Sequence, residues 1–269
     1  MEDTFIKKEY VSGIGIYAIF DGHSGNYSSN FAANGLADMI ETKLRLSVSK
    51  PTECSCSSVK WPKRKLNKEE MLKECIEQME NLLENAFMQR YHTSGTTCLI
   101  AIVEKNKLTV ANVGDSRGVL CDKHGNAVNL SIDHKPNNDE EKKRIEEAGG
   151  EIINTGIWRV NGLAMSRSLG DTQLKNGEKI IISKPDTFVF DLKKYRPQFM
   201  ILASDGLWDV MTNQDAVNFI KNECVHETDF GAEKLVLRAL DLNSQDNITV
   251  LIVKFIDGQY KVGSANGSE

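Results

Sequence analysis

An aspartate and a histidine, two residues apart, directly follow a strand-like stretch near the start of the chain. Ile14–Phe20 carries no charged side chain, and Asp21, Gly22 and His23 come next. A carboxylate can ligate a hard cation and an imidazole titrates near neutral pH, so the pair could combine metal binding with proton transfer. Asp-Gly after an apolar run is also a common turn, and this motif alone does not separate the two roles.

The same pattern recurs at three other predicted strand ends. Asp115 lies in "ANVGDSR", Asp205 and Asp209 lie in "ASDGLWD", and Asp246 lies in "NSQDNITV". Glycine, serine or asparagine stands beside these acids, so the backbone can turn sharply there. Several acids at one rim of a dry core would repel each other strongly unless a cation neutralised them. The set therefore predicts a site for divalent metal ions.

The ligand type favours Mg²⁺ or Mn²⁺ over zinc. The chain has no His-x-x-x-His pair and no Cys-x-x-Cys pair, whereas carboxylate oxygens are typical ligands of hard cations. Ca²⁺ is not excluded by ligand type, although no D-x-D-x-D-G loop is present. Two ions close together would activate a water molecule and hold a phosphoryl group for in-line attack.

The sequence motifs of other phosphoryl-transfer mechanisms are absent from this chain. There is no Walker A loop, no set of kinase signatures and no Cys-x₅-Arg loop, so neither transfer from a nucleotide nor a cysteinyl-phosphate intermediate is indicated. Water is the nucleophile that remains. His23 is then suited to act as general acid for the leaving oxygen.

Hydrophobic patterns predict the elements that would position these residues. The predicted strands are Ile14–Phe20, Thr97–Val103, Leu108–Val113, Gly118–Cys121, Lys179–Ile182, Thr187–Phe190, Phe199–Ala203 and Ile248–Phe255. The predicted helices are Ser28–Leu44, Lys68–Tyr91, Asp139–Ala148, Asn213–Glu223 and Gly231–Leu240. Strands are recognised by β-branched and apolar runs, and helices by apolar residues three or four apart.

The loop lengths predict antiparallel sheets. Thr97–Val103, Leu108–Val113 and Gly118–Cys121 are joined by loops of about four residues, too short for a parallel crossover. Because the strands are apolar on both faces, we expect an α+β fold, a four-layer α-β-β-α sandwich of two mainly antiparallel sheets flanked by helices. We expect one domain over residues 1–255, a surface excursion around residues 48–68, and a frayed tail over residues 256–269.

Composition narrows the function classes and the compartment. The chain has 269 residues and a formal net charge of −5, which argues against nucleic acid as the main partner. No apolar run is long enough to span a bilayer, and the first residues do not form a secretory signal. Six cysteines scattered through the chain, without a zinc-site spacing, are typical of a reducing compartment. We expect an intracellular, cytoplasmic protein.

The motifs taken together resemble the metal-dependent Ser/Thr protein phosphatases of type 2C. The matching blocks are "MED", "FDGHSG", "SGTTCLIA", "LTVANVGDSRGVL", "DHKPNNDEEKKRIEEAGG", "RVNGLAMSRSLGD", "ASDGLWDVMTNQDAV" and "DNITVLIVKF". They stand in the family's order and run from residue 1 to residue 255, almost the whole chain. The resemblance implies the same four-layer sandwich, with metals at one end of the two sheets.

The resemblance also implies roles for individual residues around two metal ions. Asp21 is similar to the residue that bridges both ions, and the carbonyl group of Gly22 to a ligand of one of them. Asp205 and Asp246 would complete the other ion's shell. His23 corresponds to the general acid.

Further acids correspond to outer positions of that site. Glu2 and Asp3, in "MED", resemble the residues that hold metal-bound waters. Asp115, together with Asp205 and Asp209, is similar to the site of a weaker third metal. The resemblance thus implies two or more Mg²⁺ or Mn²⁺ ions per chain.

Three departures from the family pattern bear on activity. The family has a further strand and a phosphate-binding arginine just upstream of "MED", whereas this sequence starts at Met1. Either the sequence is a fragment or a short isoform, or the site lacks its anion anchor. Ser24 stands where glycine is usual, and "RVNGLAMSRS" is one residue shorter than the family's pattern. Thr97, in contrast, follows the family pattern and resembles a threonine that lies near the metals in that family.

Other basic residues are candidates for holding phosphate. They are Arg117, Lys135, Arg159 and Arg167. For Arg117 and Arg167 we expect structural pairing with acids, and we expect Asp133 and His134 to belong to the scaffold.

Three functional hypotheses follow. The first is metal-dependent hydrolysis of phosphoserine and phosphothreonine in proteins, kinases among them, by a monomer. The second is a catalytically impaired binding protein or regulatory short form with the same fold, which the absent arginine and the shortened segment favour. The third is a Ca²⁺-stabilised structural domain. Membrane association would require a segment upstream of this sequence.

Overall fold

The computed structural model of the chain describes residues 1–10, 12–48, 67–90, 93–175, 179–224 and 231–268. The strands are β1 (Thr4–Tyr10), β2 (Ile14–Phe20), β3 (Gly22–His23), β4 (Gly95–Thr96), β5 (Cys98–Glu104), β6 (Lys107–Val113), β7 (Arg117–Cys121), β8 (Ala127–Asn129), β9 (Ile152–Asn154), β10 (Trp158–Val160), β11 (Leu169–Gly170), β12 (Asp186–Asp191), β13 (Phe199–Ala203), β14 (Val250–Ile256) and β15 (Gln259–Ser268). The helices are α1 (Tyr27–Val48), α2 (Lys68–Arg90), α3 (Asp139–Glu147), α4 (Thr172–Lys175), α5 (Leu192–Tyr195), α6 (Asp205–Trp208), α7 (Asn213–Glu223) and α8 (Ala232–Asp241).

Two five-stranded sheets form the centre of the fold. The first sheet has the order β1-β2-β5-β6-β12 and the second has the order β15-β14-β13-β7-β8. All strand pairs in both sheets are antiparallel. The α+β class and the antiparallel sheets predicted from the sequence are therefore confirmed.

The two sheets pack face to face, with helices on their outer faces. Tyr17 and Leu99 of the first sheet share one buried cluster with Leu202 and Leu251 of the second. Helices α1 and α2 cover the other face of the first sheet, and α7 and α8 cover the other face of the second. All seven residues of β2 are buried, because a central strand between two layers has no solvated face.

The longer helices form where their apolar periodicity predicts them. The five predicted helices correspond to α1, α2, α3, α7 and α8, with ends within a few residues of the prediction. Among the described residues, no helix combines the length and apolarity that crossing a bilayer requires. Residues 49–66, most of the predicted surface excursion, lie outside the described residues.

One predicted strand pairing is wrong. Strands β6 and β7 are not neighbours, because β6 belongs to the first sheet and β7 to the second. The three residues between them, 114–116, carry the chain across the sandwich instead of closing a hairpin, and a loop of this length permits both connections. This crossover is what places Asp115 between the ends of the two sheets.

Two further segments differ from the prediction. Lys179–Ile182 is not a strand; only one isolated bridge, between Arg167 and Ile182, involves it. The tail is not frayed, since β15 pairs along β14. Strand β1 was not predicted, although it forms an edge of the first sheet. Its sequence, Thr-Phe-Ile-Lys-Lys, shows only a weak alternation of apolar and polar side chains, because an edge strand is only partly buried.

Candidate active site

The predicted site residues meet at one end of the sandwich because the sheet register brings their strand ends together. Asp21 directly follows β2, and Asp205 follows β13 and begins α6. Ala203, the last residue of β13, lies opposite Arg117 at the start of β7 and Val250 at the start of β14. The segments that precede β7 and β14 carry Asp115 and Asp246, so these acids reach the same end.

The backbone of Asp21 is held from both sides. Its N–H donates to Thr97 Oγ1 at 3.0 Å, and its carbonyl oxygen accepts from the Thr97 N–H at 2.9 Å and from Thr96 Oγ1 at 3.0 Å. The residue is 9% exposed. Burial raises the pKa of the Asp21 carboxyl well above its ordinary value, and the charge of Asp205 raises it further.

Asp246 lies close enough to Asp21 for its charge to act on the Asp21 carboxyl. The charge of Asp246 is among the causes that raise the pKa of Asp21, and it also raises the pKa of Asp3, after burial. Residues at opposite ends of the chain thus share one electrostatic environment. Within the folded protein the acids repel each other, as their convergence predicts.

Glu2 and Asp3 join this end of the molecule through β1. Asp3 is buried, and its Oδ2 atom accepts from Thr249 Oγ1 at 2.7 Å. Glu2 Oε1 accepts from the Gly25 N–H at 2.6 Å, and the Glu2 N–H donates to Asn247 Oδ1 at 2.8 Å. Glu2 therefore holds the loop that follows His23 and connects it to the segment that carries Asp246.

Gly22 is required by the close approach of Glu2, in the segment that precedes β1. A Cβ atom at this position would overlap the carbonyl oxygen of Glu2 and crowd Ser29 Oγ, so only glycine leaves room. The next loop residue, Ser24, has a left-handed backbone with φ of 56°. That conformation explains why glycine suits the Ser24 position, since a side chain there is mildly strained.

A lysine lies between two of the acids. Lys135 Nζ donates to Asp115 Oδ2 at 2.5 Å and to Asp205 Oδ2 at 3.4 Å. Burial raises the pKa of Asp205 to about 7, with a further contribution from the charge of Asp115, while Lys135 lowers it. Burial also raises the pKa of Asp209, which Lys135 partly counters. One ammonium group leaves most of the negative charge here uncompensated.

His23 is bound by an aspartate that the sequence analysis did not identify. The Nε2 atom of His23 lies 2.9 Å from Oδ2 and 3.0 Å from Oδ1 of Asp171. Asp171 is 2% exposed, and its Oδ2 atom also accepts from Ser168 Oγ at 2.6 Å. Burial would lower the pKa of His23, but the hydrogen bond and charge of Asp171 raise it above its ordinary value.

A sequence signal for Asp171 existed. It directly follows the short strand β11, whose last residue is Gly170, in "SLGD", and so repeats the Gly-Asp pair that contains Asp115. Gly170 takes φ of 78° and Asp171 takes φ of 50°, so the chain turns sharply there. Because no predicted strand precedes "SLGD", the strand-end pattern does not single out its acid.

The residues present fit divalent cations. Asp3 Oδ1 and Asp115 Oδ1 are buried and have no hydrogen-bond partner among the described residues, which is costly unless an ion or water occupies the space beside them. The donors are carboxylate oxygens, the ligands that Mg²⁺ and Mn²⁺ prefer. Across the described ranges, however, no three His, Cys, Asp or Glu side chains already converge as a ligand set. Backbone carbonyl groups and water would supply further ligands.

Two of the basic candidates belong to the scaffold, as predicted. Arg117 forms a two-pronged ion pair with Asp133, at 2.9 and 2.6 Å. Arg167 Nη2 lies 2.5 Å from Glu141 Oε1, and its Nη1 atom lies 2.9 Å from Asp186 Oδ1. These arginines are therefore engaged by carboxylates. Arg159 is exposed and donates to a carbonyl oxygen of its own turn.

The shortened segment forms a regular turn. Asn161 and Gly162 both take positive φ values, 48° and 87°, and Val160 and Leu163 exchange backbone hydrogen bonds of 2.9 Å. An Asn-Gly pair with this backbone makes the tightest two-residue turn. The shortened segment thus closes in a tight turn, and the Ser166–Ser168 stretch that follows is buried.

Comparisons with known proteins agree on the family. A family profile described as "Protein phosphatase 2C" matches residues 1–248. The chain is 47% identical over 241 residues to "Protein phosphatase 1L" of Bos taurus, covering 89% of this chain and 64% of that protein. It is 35% identical to "Probable protein phosphatase 2C 59" of Oryza sativa subsp. japonica, covering 91% and 67% respectively.

A solved structure shares the fold over nearly the whole chain. The serine-threonine phosphatase 2C from Toxoplasma gondii superposes with a TM-score of 0.77 at 25% identity, covering 95% of this chain and 90% of that one. The chain spans 64% of the length of the bovine relative. The profile match over most of the sequence and the identity to the bovine protein establish that this chain belongs to the protein phosphatase 2C family.

Proposed function

We propose that this chain hydrolyses phosphoserine and phosphothreonine in proteins, using Mg²⁺ or Mn²⁺ ions held by its acidic cluster. The observation that carries the proposal is the convergence of acids from distant strands, with raised pKa values at Asp3, Asp21, Asp205 and Asp209. Such a group of carboxylates destabilises a fold unless it binds cations. Members of the protein phosphatase 2C family generally depend on Mg²⁺ or Mn²⁺.

The ligands would come from the predicted set. Asp21 and the carbonyl group of Gly22 would hold ions together with Asp205 and Asp246. When bound, a pair of such ions neutralises the phosphoryl oxygens and lowers the pKa of water. Glu2 and Asp3 would hold water molecules around the pair, and Asp115 and Asp209 would contribute to a third site beside Asp205.

The chain's own proton donor would be His23. Asp171 accepts the Nε2–H of the imidazole, which leaves Nδ1 as the ring atom able to face a substrate. The Nδ1 atom is buried and has no hydrogen-bond partner among the described residues. In its protonated form this atom would give its proton to the serine or threonine oxygen as that oxygen leaves the phosphoryl group.

Membership of this family also indicates the substrates of the chain. The family implies phosphorylated proteins as substrates, and we propose phosphorylated kinases among them. We also propose that the chain acts as a monomer. The alternative of a catalytically impaired binding protein is not favoured, because every predicted metal-ligand position is retained and His23 has a partner that orients it.

Hydrolysis of an aryl phosphate by the purified chain tests the proposal. Activity should require Mn²⁺ or Mg²⁺, disappear on addition of EDTA, and fall by about 100-fold or more in Asp205→Ala, since several kcal/mol of charge stabilisation would be lost. Thermal unfolding in parallel shows whether the variant still folds. Metal-induced stabilisation without any turnover would instead support a binding protein, and equal stabilisation by Ca²⁺ without hydrolysis would support a structural domain.

A further inference from the structure

A cavity of about 650 Å³ opens at the end of the second sheet opposite to the acidic cluster. Strand β13 runs from the cavity to the acidic cluster. Its first residue, Phe199, lines the cavity, and its last residue, Ala203, lies at the acidic end. Four residue steps along a strand span roughly 13 Å. A ligand in the cavity would therefore leave the acidic end accessible.

The floor of the cavity is apolar. Phe199, Ile220, Ile252 and Phe255 line it, and each of them is at most 7% exposed. These side chains belong to β13, α7 and β14, elements packed into the core, so the floor is preformed. A concave apolar surface of this volume is large enough to receive one or two side chains of a ligand.

The rim of the cavity is basic. Lys123, Arg196, Lys221 and Lys254 contribute four positive charges, and Asp257 contributes one negative charge, among the lining residues. This local excess of three positive charges contrasts with the net charge of −5 for the chain. Lys123, Arg196 and Lys221 form no ion pair with any carboxylate in the described part of the chain, unlike Arg117 and Arg167.

The arrangement of these cations indicates the kind of ligand. They project from four separate segments: the turn after β7, the loop after α5, helix α7 and strand β14. A single phosphate group needs donors that converge on one point, whereas cations spread around an apolar floor match several carboxylates spaced along a chain. A planar bilayer fits a concave site poorly, because its headgroups cannot enter it.

We propose that this basic groove, formed by Lys123, Arg196, Lys221 and Lys254 around an apolar floor, binds an acidic segment of a partner protein that also carries an apolar side chain. The carboxylates of the segment would pair with the rim, and its apolar side chain would lie against Phe199 and Phe255. Charge complementarity steers association and the apolar contact supplies affinity. The groove would hold the partner while the acidic end of the sandwich remains open.

Fluorescence anisotropy with a defined probe tests this binding. The probe is a fluorescein-labelled 12-residue peptide with four glutamates and two central leucines, and two matched probes replace the glutamates by glutamine or the leucines by serine. The protein variants are Lys123→Glu/Lys221→Glu and a control of equal charge change, Lys7→Glu/Lys73→Glu, at exposed positions on β1 and α2. Aryl phosphate hydrolysis with Mn²⁺ is measured in parallel as an index of correct folding, and Lys221→Gln serves as a milder variant.

We expect saturable binding that weakens at least tenfold in Lys123→Glu/Lys221→Glu, to a lesser degree in Lys221→Gln, and by less than twofold in the control. Both matched probes should bind more weakly than the parent peptide. Absence of saturable binding, an equal loss in the control variant, or indifference to the leucines would overturn the proposal. Binding to phosphatidylserine vesicles that depends on the same two lysines, without peptide binding, would also overturn it in favour of a lipid surface.

Discussion

The Nε2 atom of His23 lies 2.9 Å from the Oδ2 atom of Asp171, although 147 residues separate the two in the chain. The pair is brought together by a small three-stranded sheet in which β4 lies between β3, which carries His23, and β11, which precedes Asp171. A buried carboxylate on one ring nitrogen sets the tautomer and direction of the ring. The other nitrogen is then available for chemistry.

Asp171→Asn should impair hydrolysis most where the leaving oxygen needs a proton. With a phosphothreonine peptide or an alkyl phosphate we expect kcat to fall by about 10- to 100-fold, because a misplaced general acid loses much of its contribution. With 4-nitrophenyl phosphate, whose leaving group needs little protonation, the loss should be under about threefold. Steady-state kinetics across a leaving-group series makes the measurement. Ser168→Ala, which removes only the hydrogen bond to Asp171, should have a smaller effect, and an equal loss across all leaving groups would rule out the positioning role.

Gly95→Ala should disturb the same pair without changing either partner. A Cβ atom at Gly95 would overlap the Asp171 carboxylate and the His23 ring, and Gly95 pairs directly with His23 in the small sheet. We expect a loss of kcat similar to that of Asp171→Asn, with a destabilisation of about 1–3 kcal/mol from overpacking. Gly35→Ala is the matched control, because its Cβ would meet only the flexible end of Met79. Wild-type kinetics in Gly95→Ala would show that the pair tolerates displacement.

Asp205→Asn should stabilise the metal-free protein while removing activity. The folded protein holds the Asp205 proton up to about pH 7, whereas the unfolded chain releases it near its ordinary pKa of 3.8. The folded state thus binds more protons between these values, and stability falls as pH rises through this window, by roughly 2–4 kcal/mol in total at neutral pH. Thermal unfolding in EDTA at pH 5 and pH 8 checks this: the variant should lose less stability than the wild type between them. Mn²⁺ should raise the midpoint of the wild type more than that of the variant.

Glu141→Gln should weaken the scaffold that supports the site from behind. Burial would raise the pKa of Glu141, but hydrogen bonds from Arg167, Ser166 and Arg144 lower it to about 2. Its stabilising contribution is complete above its ordinary pKa of 4.5 and is lost as pH falls towards 2. Removing the charge should destabilise the fold by about 3 kcal/mol near neutral pH, since the buried Arg167 loses its charged partner.

Urea unfolding at pH 7 and pH 3 provides the measurement for that change. The difference between wild type and Glu141→Gln should shrink at the lower pH, because the Glu141 carboxyl of the unfolded wild-type chain takes up a proton below its ordinary pKa of 4.5, whereas the folded protein does not until about pH 2. Glu140→Gln, at the exposed neighbouring position on α3, should change stability by less than about 0.5 kcal/mol. A difference that stays constant with pH would mean that the charge of Glu141 does not contribute.

The sequence by itself determined the main elements, the antiparallel hairpin of β5 and β6, and the acids that end the strands. Apolar runs such as Ile14–Phe20 and the helical spacing in α2 have one favourable conformation each, so local pattern was sufficient there. If β5 and β6 are neighbours in one sheet, the short loop between them permits only antiparallel pairing. The acids at the strand ends were recognisable because a charged side chain beside a dry core is costly unless another group neutralises it.

Tertiary structure decided which strand ends meet and what lies between the acids. The crossover at Asp115 was invisible in the sequence, because a four-residue loop can either close a hairpin or pass between sheets. Asp171 became the partner of His23, and Lys135 entered between Asp115 and Asp205, only through contacts between residues far apart in the chain. The pKa values of these groups follow burial and neighbouring charges, which exist only once the sandwich has closed.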